Sequence, residues 1–226
     1  MVTAIIVAAG KSDRMGPGTD KAFLNLGSRP VIAWSLLAFE RCADVDQIVL
    51  VVRKDQQTAS KALARMFGIS KLHAIVPGGK ERQDSVMAGL KASDPDTRIV
   101  VVHDGARPCI KSETISEVVK LARRNNAVVI GHRINDTVKF VEKGSVIDHT
   151  EDRSKLWAVQ TPQAFSASLI KQAYAKVIAE KKTVTDDSAA VELLGEPVKI
   201  FESNAVNLKI TTGEDLQVAA GALNLK

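Results

Sequence analysis

Cysteines and aromatic residues are scarce in this sequence. Its 226 residues include only two cysteines, Cys42 and Cys109, and aromatic side chains make up 4% of the chain. Two thiols without a paired spacing argue against a disulfide framework and against a zinc site. So few aromatic side chains leave little surface on which single-stranded nucleic acid could stack. We therefore expect reduced thiols in a cytoplasmic protein.

Long apolar runs are also missing. No run approaches the roughly 18 residues that a membrane-spanning helix needs, and the N-terminal run is too short, and lacks the basic start, for a signal peptide. The formal net charge is +5, but the cations are scattered along the chain. This pattern favours an anionic small-molecule substrate, and we expect neither a nucleic-acid nor a membrane partner.

The motifs of several enzyme classes are absent. The sequence contains no G-x-S-x-G or H-E-x-x-H pattern, no cysteine–histidine couple and only four histidines. Hydrolase and metalloprotease chemistry therefore has no residues to act through. Phosphoryl or nucleotidyl transfer needs only positioning, cations near the developing charge and Mg²⁺. An acceptor that is itself a phosphate is already an anion and needs no general base.

What the sequence does contain is an alternation of strand-like and helical patterns. Repeated βα units predict an α/β fold with a mostly parallel sheet and helices on both faces. The length suits a single domain, 1–226. The predicted strands cover 2–7, 47–52, 72–76, 98–103 and 127–131, and the predicted helices cover 31–42, 55–67, 81–92 and 112–125.

The alternation breaks near residue 132. Residues 137–141 and 145–148 flank Glu142-Lys143-Gly144, which predicts a β-hairpin with a glycine-containing turn. We expect this β-arm, at about 132–156, to pack on a second subunit, because it is too short to hold a core of its own. After the arm we predict a strand at 156–160, helices at 167–180 and 186–194, a strand at 198–202, and a last helix capped by Thr212 and Asp215.

The first strand ends in Ala8-Ala9-Gly10, where almost no side chain keeps a ligand away from the backbone. Arg14 and Lys21 follow, so this loop suits a nucleotide and its phosphates. The spacing fits neither a P-loop nor a dinucleotide fingerprint. An ordinary loop with surface cations remains the alternative at this point.

Other strand ends carry polar residues that we expect at the same edge of the sheet. Gly78-Gly79 precedes a helix, and Asp104 follows a buried strand, where it could hold Mg²⁺ or a ribose hydroxyl. His103 points to the opposite face and is interpreted as structural. Later in the chain, Thr185-Asp186-Asp187 looks like a helix start. Lys209 lies on a predicted short strand, where a functional cation and a solvated face are equally open interpretations.

Taken together, these motifs closely resemble the 2-C-methyl-D-erythritol 4-phosphate cytidylyltransferase family. The resemblance extends from the first strand to the last helix. It implies a Rossmann-like fold, a homodimer with interlocking β-arms, and transfer of CMP from CTP to 2-C-methyl-D-erythritol 4-phosphate with Mg²⁺. The segments that carry it are Ala8-Ala9-Gly10, Arg14-Met15-Gly16, Lys21, Gly79 to Val86, His103 to Pro108, Asp136 to Lys139, Thr161-Pro162-Gln163, Thr185-Asp186-Asp187 and Asn207-Leu208-Lys209.

The resemblance also implies roles for individual residues. Arg14 and Lys21 would stabilise charge on the α-phosphate and the leaving pyrophosphate, and Arg153 and Lys209 would aim the acceptor phosphate. Mg²⁺ would be held mainly by the CTP phosphates, with Asp104 as its protein ligand. The residues implied in CTP binding are Ala8, Ala9, Gly10, Gly79, Ser85, Asp104 and Gly105, and those implied in acceptor binding are Arg107, Thr137, Arg153, Thr185 and Lys209, with Thr137 and Arg153 reaching the partner's site.

The sequence departs from the family's usual pattern in three places. Asp20-Lys21-Ala22 replaces a common Pro-Lys-Gln, Ser12 replaces the second glycine of the first loop, and Gly105 replaces alanine. The alternatives are a cytidylyltransferase for another polyol phosphate such as ribitol 5-phosphate, a nucleotide-binding module without catalysis, and, more remotely, a nicotinamide oxidoreductase.

Overall fold

The computed structural model describes residues 1–10 and 21–225. Short 3-10 turns occupy Lys21–Phe23, Lys54–Gln56 and Arg153–Lys155. The strands are β1 (Val2–Ala8), β2 (Asn25–Leu26), β3 (Arg29–Pro30), β4 (Gln47–Val52), β5 (Leu72–Pro77), β6 (Ile99–Asp104), β7 (Ala127–Arg133), β8 (Lys139–Phe140), β9 (His149–Thr150), β10 (Trp157–Ser166) and β11 (Lys199–Glu202). The α-helices are α1 (Val31–Arg41), α2 (Gln57–Met66), α3 (Arg82–Ala92), α4 (Ser112–Asn125), α5 (Ala167–Ala179), α6 (Asp187–Glu192) and α7 (Gly213–Ala222).

Seven strands form the central sheet in the order β11-β7-β10-β6-β1-β4-β5. Only β10 runs antiparallel to its neighbours β6 and β7; the other strand pairs of this sheet are parallel. The chain leaves β1 toward β4 on one side and later returns to β6 on the other. This reversal leaves a crevice beyond the carboxyl ends of β1, β4 and β6, where α/β sheets bind ligands.

The middle strands are continuous apolar runs, because helices cover both faces of a parallel sheet and leave no side of these strands exposed to solvent. The residues Ile99–Asp104 of β6 are all buried. One core layer lies between the sheet and α1, α2 and α4, and a second lies between the sheet and α3, α5 and α6. Gly89 lets α3 approach the sheet, because a Cβ there would lie 2.4 Å from Cγ2 of Ile5. None of the helices in the described ranges is long and apolar enough to cross a membrane.

The predicted alternation of strands and helices is confirmed, and β10 is longer than predicted. It continues to Ser166 instead of ending at 160. Pro162 lies inside this strand, at a place that tolerates proline, because the ladder to β7 is irregular between Val159 and Gln163. The predicted strand around Lys209 is wrong: residues 207–211 join no strand, although the Ile210 amide donates to the Ala106 carbonyl at 2.8 Å.

The hairpin exists and Gly144 lies in its turn with a φ of 73°, but the bounds predicted for its two strands are wrong. The two strands pair only through Lys139 with Thr150 and Phe140 with His149, so the connection is longer than Glu142-Lys143-Gly144. Asp148 causes the difference, because its amide donates to the Phe140 carbonyl at 3.0 Å and its carboxylate accepts from the Glu142 amide at 2.7 Å. These two hydrogen bonds close a loop between the strands, so the second strand begins at His149 and not at the predicted residue 145.

Candidate active site

A pocket of about 340 Å³ lies beyond the carboxyl ends of β1, β4, β5 and β6. The strand ends that the sequence predicts to converge do converge here. The first loop, the turn after β5 and the end of β6 all contribute to its wall. Eight of the predicted site residues line it together: Ala8, Ala9, Gly10, Lys21, Gly79, Ser85, Asp104 and Lys209.

The pocket is strongly basic. Among the residues that the structure describes, six cationic side chains and two acidic ones line it, a formal excess of +4. Arg53, Lys54 and Lys80 belong to this set, yet no sequence pattern selects them, because a cation beside a strand end looks like any other surface cation. A pocket with this charge suits a polyanion such as a nucleoside triphosphate.

Asp104 is the acidic centre of the pocket. Its Oδ1 accepts from Arg82 Nε at 3.1 Å, its Oδ2 lies 2.8 Å from Lys209 Nζ, and Arg107 Nε lies 3.7 Å from the same Oδ2. Burial alone would raise the pKa of Asp104, but the charges of Arg82 and Lys209 outweigh it and hold the pKa well below its usual range. Asp104 is therefore ionised, and it fixes Lys209 at the pocket wall.

Arg82 connects this centre to a second buried carboxylate. Its Nη2 donates to Oδ2 of Asp187 at 2.9 Å, and Asp187 is fully buried. The hydroxyl of Tyr174 donates to the other Asp187 oxygen at 2.6 Å. Burial and the charge of Asp187 both raise the pKa of Tyr174, so the phenol keeps its proton and remains a donor. No sequence pattern indicates a role for Arg82 or Tyr174.

The turn after β5 is closed by Ser85 and by the start of α3. The Gly79 amide donates to Ser85 Oγ at 3.2 Å, and Ser85 Oγ donates to the Glu81 carbonyl at the same distance. A Cβ on Gly78 would lie 2.2 Å from the Ala9 Cβ and 2.7 Å from Ser85 Oγ. The glycine thus brings this turn against the end of β1, and both elements form one wall of the pocket.

Gly105 lies behind the pocket rather than in its lining. Its amide donates to the Val7 carbonyl at 2.8 Å, which ties the end of β6 to the end of β1. The alanine usual in the family would place its Cβ 3.1 Å from the Ala8 Cβ. Glycine at this position therefore relieves a tight contact beneath the predicted nucleotide loop.

The remaining predicted residues lie away from the pocket lining or outside the described ranges. Arg107 Nη1 donates to the Asn207 carbonyl at 2.8 Å and so anchors the segment that carries Lys209. Thr185 is exposed just before α6, Thr137 is exposed at the base of the arm, and the Arg153 guanidinium donates to the Asn135 carbonyl. Arg14 falls in residues 11–20, outside the described part of the chain.

His103 lies fully buried beneath the pocket. Its Nε2 lies 3.3 Å from the Arg107 carbonyl and its Nδ1 lies 3.2 Å from Thr161 Oγ1. Burial lowers the pKa of His103 to about 3, so the ring is neutral. Because a carbonyl can only accept, Nε2 carries the hydrogen and Nδ1 accepts from Thr161. The interpretation of His103 as structural agrees with this placement.

A protein-only magnesium site is not formed by these residues. Within residues 1–10 and 21–225, no three His, Cys, Asp or Glu side chains cluster as metal ligands. Both oxygens of Asp104 already have cationic partners, Arg82 and Lys209. A divalent ion at this position would have to displace Lys209 or Arg82 from the carboxylate.

Comparisons with known proteins agree with the geometry. A sequence model of the IspD family, 2-C-methyl-D-erythritol 4-phosphate cytidylyltransferase, matches residues 2–224. The chain belongs to this family of nucleotidyltransferases. A relative of that name from Pelotomaculum thermopropionicum is 43% identical over 226 residues, covering 100% of this chain and 95% of the relative. One from Geobacillus kaustophilus is 43% identical over 220 residues, covering 97% and 96%.

Solved structures of the family share the whole fold. The 4-diphosphocytidyl-2C-methyl-D-erythritol synthase of Anaerococcus prevotii superimposes with a TM-score of 0.88 at 34% identity, over 99% of this chain and 96% of that one. The 2-C-methyl-D-erythritol 4-phosphate cytidylyltransferase of Thermus thermophilus gives 0.81 at 30% identity, over 100% of both chains. The predicted α/β fold and family resemblance are confirmed.

Proposed function

We propose that this chain transfers the CMP unit of CTP to 2-C-methyl-D-erythritol 4-phosphate in isoprenoid biosynthesis. The products are 4-diphosphocytidyl-2-C-methyl-D-erythritol and pyrophosphate. The observation that carries the proposal is the basic crevice at the strand ends, in a chain that matches this family over almost its whole length. Its excess of cations suits a reaction in which both substrates are phosphates.

The chemistry is a displacement at phosphorus. A phosphate oxygen of the acceptor attacks the α-phosphorus of CTP, the bond from that phosphorus to the bridging oxygen of the β-phosphate breaks, and pyrophosphate leaves with the electron pair. The attacking oxygen is already anionic, so no side chain has to remove a proton. Catalysis then rests on holding two repelling anions in line and on stabilising the charge that develops on the phosphates.

Two lysines of the pocket have different roles in this reaction. Lys21 follows the first loop and would stabilise the CTP phosphates together with Arg14, as the family resemblance implies. Lys209, held at 2.8 Å by Asp104, would receive the acceptor phosphate. Because Asp104 keeps the ammonium in place before substrate arrives, little reorganisation is needed at the moment of reaction.

We place Mg²⁺ on the triphosphate instead of on the protein alone. The oxygens of CTP supply the hard ligands that Mg²⁺ prefers, whereas Asp104 is a single carboxylate already paired with Arg82 and Lys209. When bound, the ion would neutralise charge on the leaving pyrophosphate. The metal would thus enter with the nucleotide, and Asp104 would serve mainly to orient Lys209.

We further propose a homodimer in which Thr137 and Arg153 of one arm complete the site of the other protomer. The hairpin supports this proposal, because its apolar residues Phe140, Val146 and Ile147 are exposed at 46%, 75% and 57%. Exposed apolar side chains on a protruding arm favour burial against another surface. Both cysteines are buried and unpaired, which supports the cytoplasm as the site of action.

The first experiment measures pyrophosphate release from CTP and Mg²⁺ with the purified chain. Release with 2-C-methyl-D-erythritol 4-phosphate and not with ribitol 5-phosphate would support the proposed substrate. Release with ribitol 5-phosphate alone would retain the reaction but replace the acceptor. CTP binding without release from either acceptor would favour the non-catalytic alternative and contradict the proposed activity.

A variant of Lys209 tests whether this lysine binds the acceptor phosphate and not CTP. We expect Lys209→Ala to lower kcat/KM for the acceptor by about 10²-fold, the usual loss when one preorganised charge donor is removed. The KM for CTP is expected to stay within about twofold. Lys91→Ala, an exposed lysine at the far end of α3, is the matched control. An equal loss of CTP affinity would contradict the acceptor role.

A further inference from the structure

Two successive residues at the start of α3, Arg82 and Gln83, hold a distant segment of the chain. That segment, residues 182–187, includes Thr185 and leads into α6. Arg82 spans Asp104 and Asp187 with separate guanidinium nitrogens, at 3.1 and 2.9 Å. Because the guanidinium is planar and its donors are fixed in a fork, this double contact sets the orientation of both carboxylates.

Gln83 binds the same segment through its backbone. Its Oε1 accepts from the Val184 amide at 2.9 Å, and its Nε2 donates to the Lys182 carbonyl at 3.2 Å. The side-chain amide therefore hydrogen-bonds to one backbone carbonyl and one backbone amide of the segment, as a neighbouring β-strand would. Contacts at two successive points restrict the direction of the chain as well as its position, up to the residue before Thr185.

The opposite side of the segment is held by other elements. Tyr174 from α5 donates to Asp187 at 2.6 Å. Gln163 from β10 donates to Asp186 at 2.8 Å and accepts from the Ser188 amide at 3.0 Å. Asp186 also caps α6 through the Ala189 amide. Thr185 is therefore exposed between neighbours that are held in place. Of the residues that hold this segment, Arg82 and Gln83 belong to α3, the helix at the pocket wall.

The same helical turn also carries Ser85 and follows Gly79, both of which line the pocket. One rigid turn thus contacts the nucleotide wall, the Asp104–Lys209 pair and the segment with Thr185. We propose that Arg82 and Gln83 are positioning residues, which place the acceptor-binding elements Thr185 and Lys209 at a fixed distance from the bound nucleotide. This inference rests on the proposed function, in which Lys209 receives the acceptor phosphate, and on the acceptor-binding role that the family resemblance implies for Thr185.

Gln83 offers the sharper test, because within the described residues the hydrogen bonds of its side chain reach only the backbone of residues 182 and 184. Gln83→Met keeps the length of the side chain and removes both hydrogen bonds. We expect the KM for 2-C-methyl-D-erythritol 4-phosphate to rise about 2- to 30-fold, the range for mutations that act through a contact network. The KM for CTP and kcat at saturating acceptor are expected to change by less than about twofold. Tyr174→Phe, which removes one hydroxyl behind Asp187, is expected to change the same KM in the same direction.

Lys91→Ala, on the exposed end of the same helix, is the control, and each variant is also checked for its Tm. A lower Tm with no change in the acceptor KM would show that these contacts are merely structural and would overturn the inference. Equal increases in both KM values would overturn it as well. If the unmodified chain released no pyrophosphate, the proposed function would fail together with the inference, whereas an active chain with an unchanged Gln83→Met variant would refute the inference alone.

Discussion

Removal of the Arg82 guanidinium is expected to destabilise the protein strongly. Asp187 is fully buried, the Arg82 side chain is 25% exposed, and their nitrogen and oxygen lie 2.9 Å apart. Arg82→Ala would leave Asp187 with the Tyr174 hydroxyl but without its cationic partner. Breaking such a buried pair from one side costs about 3–5 kcal/mol. At about 2–4 °C per kcal/mol for a chain of this size, the Tm would fall by roughly 6–20 °C.

Calorimetry or urea unfolding of Arg82→Ala, Asp187→Asn, the double variant and a control variant tests this reasoning. In Arg82→Ala/Asp187→Asn, no charge is left unpaired at Asp187, so we expect the double variant to recover about 1–3 kcal/mol relative to Arg82→Ala. Lys120→Ala is the control, because its ion pair with Glu117 is about half exposed on both sides and is worth about 0–1 kcal/mol. Additive effects of the Arg82 and Asp187 substitutions would refute the claim that burial of an unpaired carboxylate is the cause.

Two further predictions concern the core. His103 has a pKa of about 3 in the folded state and about 6.5 when unfolded, so the unfolded chain binds the extra proton below pH 6.5. The free energy of unfolding should therefore fall from pH 6.5 toward 3, by up to ~1.4 kcal/mol per pH unit. An unchanged slope in His103→Gln would contradict this origin. Gly89→Ala should cost about 1–3 kcal/mol through overpacking, because its Cβ would meet Ile5 Cγ2 at 2.4 Å; unaltered urea unfolding would show that α3 can shift freely.

The fold follows from local patterns wherever those patterns are strong. Buried apolar runs such as 47–52 and 98–103 are interpretable alone, because a strand covered on both faces must be apolar throughout. Their predicted and observed ends differ by at most one residue. The arm is different, since its turn is set by one side chain, Asp148, that binds the backbone of Glu142. A turn motif containing glycine cannot reveal that a carboxylate six residues away will close the loop instead.

Some parts of the candidate site can likewise be predicted from local sequence, and others cannot. The backbone-lined parts of the pocket, Ala8 to Gly10 and Gly79, are easier to propose from the sequence, because small residues at a strand end allow a ligand to approach the backbone. The charge network is not recognisable, since Arg82 and Asp187 are 105 residues apart in sequence and each has an adequate local explanation as a residue in the first turn of a helix. Only the fold, which brings the start of α3 and the end of β6 to the same edge of the sheet, places Arg82 against Asp104. Arg82 lies in a segment that carries the family resemblance, but its contacts with Asp104 and Asp187 are defined by topology and not by spacing. The role of the side chain that joins these two carboxylates is therefore visible only in the folded chain.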